Sequence, residues 1–179
     1  MVEIVTERLV VRPVQAGDAE FLAVLSSDFD LARMTVRIPF PNPVADVRVW
    51  MQSAASNGEA IFVPTLAGEI IGAGSYFPAP TTTSDGVGYW LAKPHWGKGY
   101  ATEMVRALIR HAFLSPDLAE IPISHFSDNP GSGRVIIKCG FKPVGQRTLR
   151  SLARGQDVVA LTYRLTRADA MAQPWYRTP

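Results

Sequence analysis

Gly88-Tyr-Trp-Leu-Ala-Lys-Pro-His-Trp-Gly-Lys-Gly-Tyr-Ala-Thr-Glu103 is the stretch on which the reading of this chain turns. Its beginning, within residues 87–92, has the apolar and aromatic make-up of a strand. Its end opens a long helix over about residues 100–113. Ala101, Met104, Val105, Leu108 and Ala112 recur there at helical spacing and form one apolar face. Gly97 and Gly99 sit in the turn between strand and helix. Successive glycines let amide N–H groups point into a turn with no Cβ in the way. The first amides of a helix have no partner inside it, and the helix dipole adds about 0.3–1 kcal/mol per neighbouring negative charge. Such a turn is a cradle for an anion, and a diphosphate suits it. A tight turn without a ligand is the other reading, because Gly-x-Gly alone is a weak signal. The run is not a P-loop, since Ala92 and Gly99 stand where that motif needs Gly and Ser or Thr. It does not match the dinucleotide fingerprint either.

Upstream, residues 8–14 read as a strand and 18–25 as a helix with Phe21, Leu22 and Leu25 on one face. Asn42 and Pro43 have the types of an N-cap and first helical position for a second helix. That helix carries Val44, Val47, Trp50, Met51 and Ala54 at helical spacing and stops at Asn57-Gly58. Two strands, 60–66 and 69–77, read as a hairpin around Ala67-Gly68, with Pro64 suggesting an edge. Residues 81–86 read as a polar loop. Downstream, 121–126 reads as a strand. Asn129 and Pro130 repeat the cap pattern for a helix ending at Gly140, and strands at 141–147 and 157–165 close the chain. Gly131 and Gly133 fit that helix poorly, at about 1 kcal/mol each against Ala. This order predicts one α/β (α+β) domain with a mixed central sheet flanked by helices. The core spans about residues 5–167, followed by a weakly ordered tail at 168–179.

With 179 residues the chain is long enough for one self-sufficient core. Its 19% charged and 47% hydrophobic content is that of a globular domain. A net charge of +2 without any basic block argues against nucleic acid as a partner. No apolar run approaches the ~18 residues that span a membrane. The start of the chain does not read as a signal peptide. The lone Cys139 excludes an internal disulfide and fits a reducing compartment, so a cytoplasmic location is expected.

The glycine turn and its flanks resemble motif A of the GNAT superfamily of N-acetyltransferases. The wording is similar to that of Rim-type ribosomal-protein N-acetyltransferases: Gly-Tyr-Trp-Leu at 88–91, then Trp-Gly-Lys-Gly-Tyr-Ala-Thr-Glu at 96–103. A second block, Asn129-Pro-Gly-Ser-Gly-Arg-Val-Ile-Ile-Lys-Cys-Gly-Phe141, resembles the family's Asn-x-x-Ser helix ending in Lys-x-Gly-Phe. The opening Thr6-Glu-Arg-Leu-Val-Val-Arg-Pro13 fits as well. The resemblance implies acetyl-CoA as cosubstrate, no metal, an amine acceptor, and a splayed strand pair where the thioester lies. It implies that Gly97, Lys98, Gly99, Tyr100, Ala101 and Thr102 hold the coenzyme diphosphate. Trp96 would cover the turn or simply pack. Backbone groups of Trp90, Leu91 and Ala92 would pair with the pantetheine arm, Asn129 would bond it, and Arg134 would reach a phosphate or remain a solvated helix residue.

Amine acetylation needs a neutral amine, oxyanion stabilisation and a proton for the departing thiolate. Many relatives place a tyrosine acid seven residues after the asparagine. Here Ile136 stands there, so the resemblance passes the role to Ser132, whose alternative is a hydroxyl bonded within its helix. Relatives often carry a glutamate base just before the Gly-Tyr-Trp strand, where this chain has Gly86 with Asp85 beside it. Asp85 and His125 are the candidate bases, histidine being the residue type suited to proton transfer near neutral pH, and a packed strand histidine is the alternative for the latter. Water relaying to bulk solvent is a further alternative. The acceptor is expected to be a protein N-terminal α-amine or a small amine, held between the first two helices and residues 148–156. A non-catalytic acyl-CoA-binding module is the rival reading, and a monomer or homodimer is expected.

Overall fold

The computed structural model describes residues 2–77 and 85–177, so most of the expected loop 81–86 lies outside the described residues. The chain opens with β1 (Ile4–Val5) and β2 (Val10–Pro13), an antiparallel pair. The Arg12 guanidinium grips Asp18 with two bonds of 2.8 Å, and Asp18 also accepts from the Gln15 amide. That carboxylate fixes the turn into α1 (Ala19–Ser26), after which come α2 (Phe29–Ala32) and α3 (Val44–Ser56). The expected Asn42 cap is not formed. Pro43 takes the N-cap position of α3 without a side-chain cap. The buried Asn42 amide instead donates to Ser26 Oγ at 2.7 Å, tying the end of α1 to the approach to α3.

The first sheet runs β1, β2, β3 (Ala60–Leu66), β5 (Gly72–Tyr76), β6 (Val87–Leu91), with β4 (Glu69–Ile70) also beside β3. Ala67 and Gly68 have φ of 50° and 88°, the left-handed pair of a tight hairpin. Pro64 is not at an edge: β3 lies between β2 and β5. The pairing instead slips by one residue around it, from Thr65 opposite Ile70 to Phe62 opposite Gly74. Proline has no N–H for a regular rung, so the partner strand bulges there. The Ile71 carbonyl turns to accept from Ala92 at 2.9 Å instead.

The second sheet orders β7 (Glu120–Phe126), β9 (Gln156–Thr166) and β8 (Lys142–Ser151). Every recorded strand pair is antiparallel, so the expected mixed sheet takes the form of two antiparallel sheets. They meet where the Gly86 amide donates to the Pro122 carbonyl at 2.6 Å. Beyond that bond no rung joins β6 to β7 among the described residues, and the strands part. α4 (Tyr100–Ala112) covers one face of the first sheet with buried Met104, Val105, Leu108 and Ile109. On the other face α1 and α3 pack Leu22 and Val47 against Val63 and Ala73. α5 (Pro130–Lys138) follows β7. The expected loose tail is corrected: residues 167–177 form α6 (Arg167–Met171) and α7 (Pro174–Arg177), with Ala170 buried and Arg110 donating to the Trp175 carbonyl at 3.1 Å.

Candidate active site

At the glycine turn Gly97 and Gly99 have φ of 74° and 86°, which explains why side chains are absent there. Gly99 is the N-cap of α4, and no side chain caps that helix. Its first amides are therefore left for a ligand. The Trp96 indole folds back and donates to the Leu91 carbonyl at 2.6 Å, closing the turn onto β6.

A latch holds the turn from the other side. Glu103 Oε1 accepts from Thr6 Oγ1 at 2.7 Å and from the Arg8 amide at 2.8 Å. Its Oε2 accepts from Arg8 Nε at 2.8 Å. Arg8 then donates to the Lys98 carbonyl at 3.0 Å and lies 4.6 Å over the Tyr100 ring. Burial alone would raise the Glu103 carboxyl, but the bonds from Thr6 and Arg8 bring it below the ordinary range. This role for Thr6, Arg8 and Glu103 was not legible from the sequence, because Thr6 and Arg8 lie 97 and 95 positions from Glu103.

β6 is the edge of the first sheet, and the antiparallel alternation tells which of its groups are free. Phe77 donates to the Gly86 carbonyl and Ala92 to that of Ile71, so residues 86, 88, 90 and 92 direct at least one group to β5. The main-chain groups of Val87, Tyr89 and Leu91 face the parted edge, with the Leu91 carbonyl taken by Trp96. Of the positions expected to meet the pantetheine arm, Trp90 and Ala92 thus direct main-chain groups to β5, and Leu91 faces the parted edge together with Tyr89.

Beyond this edge Ser132 lies in the first turn of α5. Its amide donates to Asn129 Oδ1 at 3.1 Å, so Asn129 caps the helix as expected. Ser132 Oγ is 2.7 Å from the Tyr89 hydroxyl. Burial pushes the Tyr89 phenol well above its ordinary value, so it stays protonated. Tyr89 was missed as a hydroxyl donor; the signal was the tyrosine of the Gly-Tyr-Trp-Leu strand itself. Ile136 is fully buried in the core. His125 is buried and stacked on Tyr163, with Nδ1 2.8 Å from the Phe126 carbonyl and Nε2 3.1 Å from the Tyr163 hydroxyl. The carbonyl requires a proton on Nδ1, which leaves Nε2 to accept from the phenol. A Cβ on Gly133 would stand 2.9 Å from that ring, so the packed histidine accounts for a glycine inside this helix. Burial pushes the Cys139 thiol up to about 12 and leaves it inert.

Two carboxylate–arginine pairs also line the cavity. Asp85 accepts from Ser124 Oγ and from Arg147, each at 2.7 Å. Burial raises its carboxyl above the ordinary range, against the pull of Ser124, Arg147 and Arg37. Glu59, buried before β3, is gripped by Arg37 at 2.6 and 2.9 Å and accepts from Ser75 Oγ at 2.6 Å. Gly86 has no room for the family's glutamate: a Cβ there would meet Pro122 Cδ at 2.9 Å. Glu59, Arg37 and Arg147 could not be placed from the sequence, because they come from a loop, a strand start and a distant strand.

One cavity of about 1200 Å³ joins these parts. Gly97, Gly99, Ala101 and Thr102 of the turn line it, as do Trp90, Leu91, Trp96, Asn129, Ser132, Arg134, His125 and Asp85. Ala92, Lys98 and Tyr100 are not among its lining residues. The end of the cavity where the acceptor was expected is walled by α1, α3, residues 34–39 and Leu149 and Leu152. The expected loop 148–156 is mostly strand, with only residues 152–155 between β8 and β9.

Comparison with known proteins agrees with this geometry. Residues 8–142 match the family described as the acetyltransferase (GNAT) domain. The FsC-acetyl coenzyme A-N(2)-transacetylase of Aspergillus fumigatus is 28% identical over 154 residues, 78% of this chain. Those residues span only 64% of that longer relative. Among solved structures, AAC(6')-Ib in complex with ribostamycin and coenzyme A superposes with a TM-score of 0.79 at 20% identity, over 94% of this chain and 98% of that one. RimL, a ribosomal L7/L12 alpha-N-protein acetyltransferase in complex with coenzyme A, gives 0.78 at 18%, over 94% and 99%. With three quarters of its length matched, and with the glycine turn, the parted strands and the Asn129 helix all within the match, the chain belongs to the GNAT acetyltransferase family.

Proposed function

We propose that the protein transfers the acetyl group of acetyl-CoA to a primary amine, and that its acceptor is a protein N-terminal α-amine. One observation carries the reading: a single cavity is lined by the uncapped α4 turn, the Tyr89–Ser132 hydroxyl pair and the carboxylates of Asp85 and Glu59. The amides of Gly97 to Thr102 hold the diphosphate, and those of Tyr89 and Leu91 pair with the pantetheine arm as an added strand would. The amine attacks the thioester carbon from the side of α1 and α3. Ser132, bonded to Tyr89, donates to the departing thiolate. Asp85, with its raised carboxyl, takes the amine's proton directly or through water. His125 serves packing. The Rim-type wording of both motifs supports the α-amine.

Release of thiol from acetyl-CoA, measured with N-terminal peptides, lysine peptides, small amines and aminoglycosides, tests this. Transfer to N-terminal peptides is the expected result. Transfer confined to small amines would replace the acceptor assignment. Tight coenzyme binding with no transfer to any amine would favour a binding module.

A further inference from the structure

Glu59 is a buried carboxylate of the cavity, and with Ser75 and Gly88 it lies on the α1–α3 face of the first sheet. Ser75, which donates to it at 2.6 Å, is opposite Gly88 in the β5–β6 ladder, one residue from Tyr89. Gly88 has no side chain, and a Cβ built there would find only Ser75 Oγ, at 3.6 Å. The edge strand is thus open over the Ser75–Glu59 pair, where a bulkier residue would cover it. The Glu59 side chain is 3% exposed, whereas that of its partner Arg37 is 53% exposed. Arg37 belongs to a coil strap whose main chain is fastened to the far sheet: Leu152 donates to the Val36 carbonyl at 3.2 Å, and Arg154 to that of Arg33 at 2.5 Å. The two partners are therefore unequal. The carboxylate is fixed and desolvated and its cation is half in water, so Arg37 can return to solvent once another cation takes its place on the carboxylate. Met34 and Val36 of the strap and Trp50 of α3 line the same end of the cavity and make its wall apolar.

We propose that Glu59 is the acceptor-binding residue of this enzyme: it receives the ammonium of the incoming substrate over Gly88, and Arg37 holds its place until then. The acceptor so recognised is a primary ammonium on an apolar body. This rests on the acetyl-transfer reading above and deepens it. A fixed carboxylate already aligned by Ser75 is a preformed anchor, and an ammonium that replaces Arg37 restores its charge pairing in a drier setting.

The probes are phenethylamine, as its cation, and the uncharged 2-phenylethanol, titrated calorimetrically into protein saturated with coenzyme A. The wild-type protein is expected to bind the amine at least about tenfold more tightly than the alcohol, as a charge-assisted bond requires. Glu59→Gln removes that preference and leaves alcohol and coenzyme A affinity unchanged. Arg37→Gln, which removes the competing cation, strengthens amine binding severalfold. A merely structural ion pair would move both variants in the same direction. Equal affinity for the two probes in the wild type, a preference that survives Glu59→Gln, or weakening by both variants would overturn the proposal. If Glu59→Gln does not fold, the sign of the Arg37→Gln effect decides alone. Thiol release is measured separately, so a protein that binds the amine as described but transfers nothing would count against acetyl transfer and not against Glu59.

Discussion

Ser132 and Tyr89 share one hydrogen bond of 2.7 Å, so neither hydroxyl can be altered without changing the other. If the pair serves the thiolate, Ser132→Ala lowers kcat by up to about 10²-fold and leaves the acetyl-CoA KM nearly unchanged. Tyr89→Phe does much the same, and the double variant is little worse than either single one, because coupled residues are not additive. Steady-state kinetics checks this; an unchanged kcat in Ser132→Ala would reduce the serine to a helix residue. The turn offers a second test. A Cβ on Gly97 meets nothing within 4 Å, so Gly97→Ala places a methyl in the mouth of the cradle. The left-handed backbone costs about 1–2 kcal/mol, a melting-point loss of several degrees for a chain of this size. Coenzyme A affinity should fall at least about tenfold in calorimetry; a folded variant that binds normally would remove the turn from the site. Ser132, Asn129 and the glycines were legible because each stands in a short motif whose spacing sets its place. Tyr89 was hidden because its partner lies 43 positions away.

At the scale of elements, the sequence conveyed most helices and strands, since period 3.6 and runs of β-branched residues survive local noise. It failed where one element borrows from another. Asn42 looked like a cap and became a tie to Ser26; Pro64 looked like an edge signal and became the cause of a bulge. The Thr6–Arg8–Glu103 latch is a third such loan, joining the β1–β2 turn to the first turn of α4. Its Glu103 side chain is only 13% exposed. Glu103→Gln should therefore cost about 1–3 kcal/mol near neutral pH. The sign with pH follows from the lowered carboxyl. A depressed folded-state value stabilises above the ordinary Glu value of about 4.3 and loses that contribution as pH falls through the folded-state value. Melting curves of wild type and Glu103→Gln should be apart at neutral pH and converge in acid. A gap that stays constant with pH would show that the carboxylate's charge contributes nothing.

For the molecule as a whole, the α/β domain and its coenzyme end could be read in advance, and its acceptor end could not. The coenzyme end is built from contiguous motifs. The end proposed for the acceptor brings Arg37, Glu59, Ser124 and Arg147 from separate segments to Asp85, and of these only Asp85 was marked by a local pattern. That end also sets the expected substrate behaviour. An α-amine has a pKa of about 7.7–8.0 against about 10.4 for a lysine ε-amine, so far more of it is neutral near physiological pH. With Asp85 as the proposed proton acceptor, a carboxylate held by Arg147 and Ser124 is a modest base, and such a site should favour the α-amine. Transfer to an N-terminal peptide should exceed transfer to an internal lysine, with kcat/KM rising over about pH 7–8.5 as the amine deprotonates. Efficient lysine acetylation with inert N-terminal peptides would reverse the assignment.

The alternation along β6 leaves an isotopic signature. Trp90 is a rung of the first sheet, and the Ala92 amide is spent on the Ile71 carbonyl, whereas the Tyr89 and Leu91 amides look into the cleft. In the free protein, deuterium should replace the protons at 89 and 91 well before those at 90 and 92. Coenzyme A should slow exchange at the odd positions and leave the even ones as they were. Residue-resolved exchange would thus trace the path of the pantetheine arm without any substrate turning over, and uniform slowing along the strand would speak against it.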